Sequence, residues 1–136
     1  MNSQNTTGRD LAWVAARFVE DTAGVRYAVV LSADGLPLAE GGEPPASDAD
    51  RLAAAASGIY SLAVGVSRVF ELAAYQHSFL RFTDGDVVIT AMASDAAMAV
   101  VTKPGAQLST VAHQMALFAK RVGENFDLAP RKVVRS

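Results

Sequence analysis

Two apolar stretches on either side of an Asp-Gly pair constrain the fold of this chain more than any other feature. They lie between Gly24 and Ala39, with Asp34-Gly35 at the centre. Asp-Gly is typical of tight hairpin turns, because glycine adopts positive φ angles without steric cost. The pattern predicts a β-hairpin whose strands cover about residues 25–32 and 36–40. Pro37 in the second strand favours a place at the edge of a sheet, because proline cannot donate a ladder hydrogen bond.

The rest of the chain divides into helical and strand-like segments by its hydrophobic periodicity. Helical spacing predicts an amphipathic helix from Arg9 to Gly24, a long helix from Ser47 to Leu72 and a final helix from Leu108 to Val122. Three more strands are predicted at Tyr75–Phe82, Val87–Ala93 and Ala96–Thr102. The order is α-β-β-α-β-β-β-α. Short turns between consecutive strands imply an antiparallel sheet with helices on its faces, an α+β fold.

The chain length and its two ends define the domain organisation. A chain of 136 residues has the usual size of one domain. Residues 1–8 are polar and patternless, which predicts a disordered N-terminal tail. The domain itself covers residues 9–124. Residues 125–136 are predicted to form a flexible tail, with a small basic cluster at Arg131, Lys132 and Arg135.

Composition and motifs exclude most chemical functions. The net charge of -2 gives no reason to expect nucleic-acid binding, and the absence of cysteine removes thiolate chemistry. There is no GxxxxGK[ST], GxGxxG or GxSxG motif, and neither His77 nor His113 has the neighbouring carboxylates of a metal motif. We therefore predict a protein that is not an enzyme, with no catalytic residue, cofactor or metal. The apolar run Leu52–Val66 is too short for a membrane span, so we predict a buried helix and no membrane insertion.

The long helix carries the one surface signal in the sequence. Its large apolar residues predict a side that faces the core; they are Leu52, Ile59, Leu62, Val66, Val69 and Phe70. A separate stripe of small residues consists of Ala54, Gly58, Ser61 and Gly65. Each internal glycine costs a helix about 1 kcal/mol relative to alanine. Close approach of another backbone is a reason to keep them, so we predict that the stripe is a dimer or partner interface.

The sequences of several segments resemble the Roadblock/LC7 family, particularly its short actinobacterial members. The residues that carry the resemblance are Leu11-Ala12-Trp13, the stretch Gly24–Leu36, the stretch Ala53–Ile59 and the stretch Met115–Gly123. The resemblance covers about residues 9–124. It implies a profilin-like sandwich in which a five-stranded antiparallel sheet has one helix on one face and two on the other. It also implies a homodimer whose sheets and long middle helices pair.

The functional expectations follow from this resemblance. Family members are non-enzymatic partners and regulators of small Ras-like GTPases, and the actinobacterial ones belong to gene clusters that also encode a sensor-kinase-like protein. The leading interpretation is thus a cytoplasmic bacterial signalling protein that binds or scaffolds a small Ras-like GTPase, with partners able to recruit it to a membrane. The sensor-kinase-like protein is a further candidate partner. Two alternatives stay open: a small-ligand sensor of the GAF or PAS kind, and a purely structural adaptor.

Overall fold

The computed structural model describes residues 3–42 and 48–130, and for residues 3–8 it describes the backbone alone. The helices are α1 (Ser3–Asp21), α2 (Ala49–Phe70) and α3 (Leu108–Asn125). The strands are β1 (Val25–Leu31), β2 (Pro37–Gly42), β3 (His77–Phe82), β4 (Gly85–Ala91) and β5 (Ala97–Thr102), with a short 3-10 turn at Ala93–Asp95. The predicted order of helices and strands is confirmed.

The strands form one antiparallel sheet in the order β2-β1-β5-β4-β3. The predicted hairpin is present, and Pro37 begins an edge strand as expected. Gly35 has a φ of 80°, and its N–H donates to the Ser32 carbonyl at 2.9 Å. The positive φ that the Asp-Gly pair predicted therefore falls on the glycine of the turn.

Helices cover both faces of the sheet. On one face, α1 and α3 pack against alternate residues of β1, β4 and β5, and the rings of Phe18 and Phe118 join the two helices with centroids 5.1 Å apart. On the other face, α2 packs against Tyr27, Val29 and Ile89. This alternation follows from the pleat of a strand, which sends successive side chains to opposite faces. The predicted sandwich is thus present.

The two ends of the domain differ from the expectation. Helix α1 already begins at Ser3, so the part of the predicted tail that the structure describes is helical. Leu128 is fully buried and Phe126 is packed against the α1/α3 layer, although both lie in the predicted flexible tail. These two apolar side chains bury surface, which offsets the entropy lost when the chain is ordered. The basic cluster at residues 131–136 lies outside the described residues.

Candidate protein-interaction surface

The side of α2 that faces the sheet is made of alanine. Ala49, Ala53 and Ala56 are its fully buried residues, while Leu52 and Ile59 are only partly buried. The prediction that all the large apolar residues of this helix face the core is wrong. Small side chains let the helix backbone lie close to the sheet. The face that these alanines form lies about a quarter turn round the helix from the face that the large apolar residues predict.

The second half of α2 extends past the end of the sheet. Ser57, Tyr60 and Ser61 lie beside Leu31 and Ala97, the paired residues where β1 ends and β5 begins. No residue between Ser57 and Phe70 is fully buried. The nine residues after Ser61 span about 13 Å at 1.5 Å per residue. This half of the helix consequently has no sheet beneath it to cover its apolar side chains.

The outer face of α2 combines the small-residue stripe with a ridge of large apolar residues. The outer face consists of Ala54, Gly58, Ser61, Leu62, Gly65, Val66 and Val69. Its ridge consists of the three large residues, Leu62, Val66 and Val69. Leu62 is 74% exposed, Val66 52% and Val69 75%. At Gly58 and Gly65, no atom lies within 4 Å of the position a Cβ would take, apart from the excluded local backbone and chain neighbours.

All four residues of the predicted interface lie on this outer face. Ala54, Gly58 and Ser61 are exposed and Gly65 is half-buried. The structure thus places the stripe about a third of a turn round the helix from Ala53, and the space at Gly58 and Gly65 is open to a second backbone. The ridge residue Leu62 follows Gly58 by four positions, so the two are neighbours on the helix surface.

The outer edge of β3 is a second open feature. The opposite edge strand, β2, is backed by α1 so closely that a Cβ on Gly41 would lie 2.6 Å from the Cα of Ala16. Within residues 3–42 and 48–130, no strand pairs with the outer edge of β3. The side chains of Phe79 and Phe82 on this strand are 48% and 63% exposed. An unpaired edge of this kind is a template for a strand from another chain.

The two histidines lie in separate parts of the described structure. His77 Nδ1 lies 3.0 Å from the hydroxyl of Thr90, and burial lowers the pKa of this histidine. His113 is exposed on α3, on the other side of the sheet from α2. Across the described parts of the chain, no three His, Asp or Glu side chains converge as a metal site needs.

The concave features of the described surface are open clefts. Three of them have volumes of about 280, 290 and 300 Å³, and none is enclosed. They lie at the end of the sheet beside α2, between α1 and α3, and at the β3–β4 turn. A sensor of the GAF or PAS kind binds its ligand in an internal cavity, and the two core layers described above are filled with side chains.

One helix in the described chain is long and apolar enough to cross a membrane, judged by length and composition. This helix is α2. An 18-residue window of it has a mean hydropathy of 1.4, and only 11% of that window is buried. The expectation of a buried helix is therefore wrong for most of its length. The apolar character arises from the alanines against the sheet and from the exposed outer face. That no membrane insertion occurs stays a prediction.

Comparison with known proteins decides the family. The sequence model of the Roadblock/LC7 domain matches residues 11–102, from α1 to the end of β5. The chain belongs to the Roadblock/LC7 family. Among curated proteins, none matches the sequence.

Solved structures agree with this assignment. A crystal structure of a Roadblock/LC7 domain from Streptomyces avermitilis is 32% identical, with a TM-score of 0.66, over 82% of this chain and 96% of that one. MglB of Myxococcus xanthus has a TM-score of 0.77 at 14% identity, over 86% and 87% of the two chains. Profilin II of Acanthamoeba castellanii has a TM-score of 0.54 at 18% identity, over 81% and 97%. The last two show the shared profilin-like fold.

In this Roadblock/LC7 domain, the sequence interpretation overlooked the ridge of large residues beside the small stripe. The helical pattern predicts that Leu62, Val66 and Val69 face the core, because it shows which residues share a face and not where the sheet ends. A signal was available in the sequence. The second half of α2 is apolar nearly all round, and such a helix is typically covered on more than one side.

Proposed function

We propose that this Roadblock/LC7 domain is a non-enzymatic homodimer that binds and regulates a small Ras-like GTPase. Membership of the family supports a regulatory role toward small GTPases. The observation that carries the proposal is the exposed outer face of α2, where Leu62 and Val69 are about three-quarters exposed although both are large and apolar. Contiguous apolar surface of this kind marks protein interaction sites.

Two features support self-association in particular. Gly58 and Gly65 leave open space along α2, which lets the same helix of a second copy approach closely. The free outer edge of β3 offers backbone hydrogen bonds to the same strand of that copy. Both features are self-complementary, as a two-fold symmetric dimer requires. A dimer would also cover the exposed side chains of Leu62, Val66 and Val69.

The dimer is tested by filling the open space of the stripe. We expect the double substitution Gly58→Leu and Gly65→Leu to give a folded monomer, because neither new side chain meets an atom of its own protomer at the Cβ position. The mass is measured by sedimentation equilibrium and the fold by circular dichroism. Ala116→Leu is the matched control, since Ala116 is exposed on α3 across the sheet. An unchanged dimer mass in the double variant would count against this interface.

The GTPase is tested separately. The purified protein is mixed with a small Ras-like GTPase encoded in the same gene cluster, once with GDP and once with a non-hydrolysable GTP analogue. We expect co-elution on gel filtration in at least one nucleotide state. The Ala116→Leu control should co-elute as the wild type does. Absence of a complex in both states refutes the GTPase partner and leaves the dimer result standing.

A further inference from the structure

The cleft at the end of the sheet has the composition of a small-ligand site. Its volume is about 280 Å³, and its walls are the middle of α2, the β1–β2 turn and the Ala93–Asp95 turn. Leu31 and Ala97 form an apolar floor, and each is 1% exposed. Small-molecule sites combine an apolar lining with a few placed polar groups. This volume lies just below their usual range of about 300–1,000 Å³, which favours a ligand smaller than a nucleotide.

Hydroxyl groups line the walls of the cleft. They belong to Ser57, Tyr60 and Ser61, whereas the hydroxyl of Ser32 is already hydrogen-bonded to the Asp34 carboxylate and the Leu36 carbonyl. The Tyr60 ring packs edge-on against Tyr75 with centroids 5.1 Å apart, which fixes its position on the wall. Burial raises the pKa of Tyr60, and the charge of Asp95 raises it further, so the Asp95 carboxylate lies near this ring. The phenol remains protonated and can donate a hydrogen bond into the cleft.

Two opposite charges border the same cleft. Arg68 comes from the last turn of α2 and Asp95 from the turn before β5. Among the described residues, neither side chain takes part in an ion pair, with the other or with any third group. A ligand that carries one positive and one negative group can pair with both, whereas a ligand with a single charge leaves one of them unmatched.

The backbone that presents Asp95 is held in an uncommon conformation. Ser94 has a φ of 62° and Asp95 a φ of 58°, so two consecutive residues without glycine lie in the left-handed region. The turn is closed by the Met92 N–H, which donates to the Ala96 carbonyl at 2.8 Å. Left-handed residues other than glycine persist where the surrounding structure holds them, often at ligand sites. The conformation directs Asp95 to the border of the cleft.

From these observations together, we propose that the cleft binds a free α-amino acid, with its carboxylate at Arg68 and its ammonium group at Asp95. The hydroxyls between them complete the hydrogen bonds of the backbone groups. The apolar floor at Leu31 and Ala97 accepts part of the ligand side chain. All residues of the site belong to one protomer, and Ser61 is shared between the cleft and the small-residue stripe.

The proposal is tested on the purified wild-type protein. Each of the twenty standard amino acids is screened by saturation-transfer difference NMR, and the strongest binder is titrated. We expect saturable binding of at least one of them. We also expect at least tenfold weaker binding of the amine and of the carboxylic acid that each keep its side chain but lack one charged group. Equal binding of either single-charge analogue overturns the two-charge assignment, and no saturable binding overturns the site.

Variants locate the binding. Arg68→Gln and Asp95→Asn should each weaken it at least tenfold, and Ala33→Leu should block it, because Ala33 lies on the cleft wall and is exposed. Arg51→Gln and Asp84→Asn are the matched controls, since both residues are exposed and lie outside the cleft. Circular dichroism checks the fold and sedimentation reports the mass in the same samples, so a failed dimer is distinguished from a failed site. Binding that persists in both charge variants refutes the proposal.

Discussion

Truncation of Leu62 is the sharpest test of the outer face of α2. In one protomer this side chain is 74% exposed, so a partner can cover nearly all of it. Full burial of a leucine side chain is worth about 1.5–3 kcal/mol, and covering the exposed part of Leu62 is therefore worth about 1.5 kcal/mol. A two-fold symmetric dimer contains this residue twice. Leu62→Ala should thus weaken the dimer by about 3 kcal/mol, which raises the dissociation constant by about a hundredfold.

The assay measures the dimer dissociation constant by sedimentation equilibrium over a wide concentration range. The matched control is Leu117→Ala, because Leu117 is 45% exposed and lies on α3 across the sheet. Both substitutions exchange an exposed helical leucine for alanine, so both should leave the unfolding of the monomer nearly unchanged. If Leu62→Ala leaves the dissociation constant unaltered, or if Leu117→Ala weakens the dimer as much, the reasoning is refuted.

Three further predictions concern the protomer itself. Gly41→Ala should lower the free energy of unfolding by about 1–3 kcal/mol, because the added Cβ would lie 2.6 Å from the backbone of α1. Gly58→Ala meets open space within the protomer and should raise the free energy of unfolding of the monomer by up to about 1 kcal/mol. Urea titrations at a protein concentration below the dimer dissociation constant compare the two. Burial lowers the pKa of His77, so the imidazole of the unfolded chain is protonated at a higher pH than that of the folded chain, and stability should fall as the pH drops below about 6.5. His77→Gln should reduce this fall, and an equal fall in the variant contradicts the assignment. Arg81→Gln should destabilise the protein by about 1 kcal/mol, because the Asp86 carboxylate is 4% exposed and loses its ion-pair partner at 3.3 Å. The effect should vanish in an Asp86→Asn background, which a double-mutant cycle measures.

The fold follows from patterns that are local in the sequence. Helix α1 ends at Asp21, three residues before the predicted stop at Gly24, which lies in the turn to β1 with a φ of 86°. Gly35 closes the hairpin with a φ of 80°, as the Asp-Gly pair predicts. Strand and helix periods differ, so the order of elements is written in the spacing of apolar residues. The predicted long helix ends at Leu72, two residues after the observed end at Phe70, and its predicted start at Ser47 lies outside the described residues. Helix ends vary by this much in general.

The location of the surface depends on distances that the sequence does not contain. The stripe at Ala54, Gly58, Ser61 and Gly65 was found because spacing alone places these residues on one face of a helix. The cleft between Arg68 and Asp95 could not be found, because the two residues are 27 positions apart and meet only where α2 passes the turn before β5. Burial at Leu128 was missed for the same reason, since the pocket for it is built from other elements.

The orientation of α2 on the sheet decides which of its side chains remain exposed. A helix that buried its leucines and valines in the core would expose only the small stripe, a surface too flat to contribute much apolar burial. Because Ala53 and Ala56 occupy the inner face instead, the large residues remain available, and the stripe lies beside them. A second α2 can then bring its backbone close at the glycines and cover the ridge at Leu62 and Val69 in the same contact. Alanine on the inner face thus leaves the large apolar side chains on the outer face, where the proposed dimer would cover them.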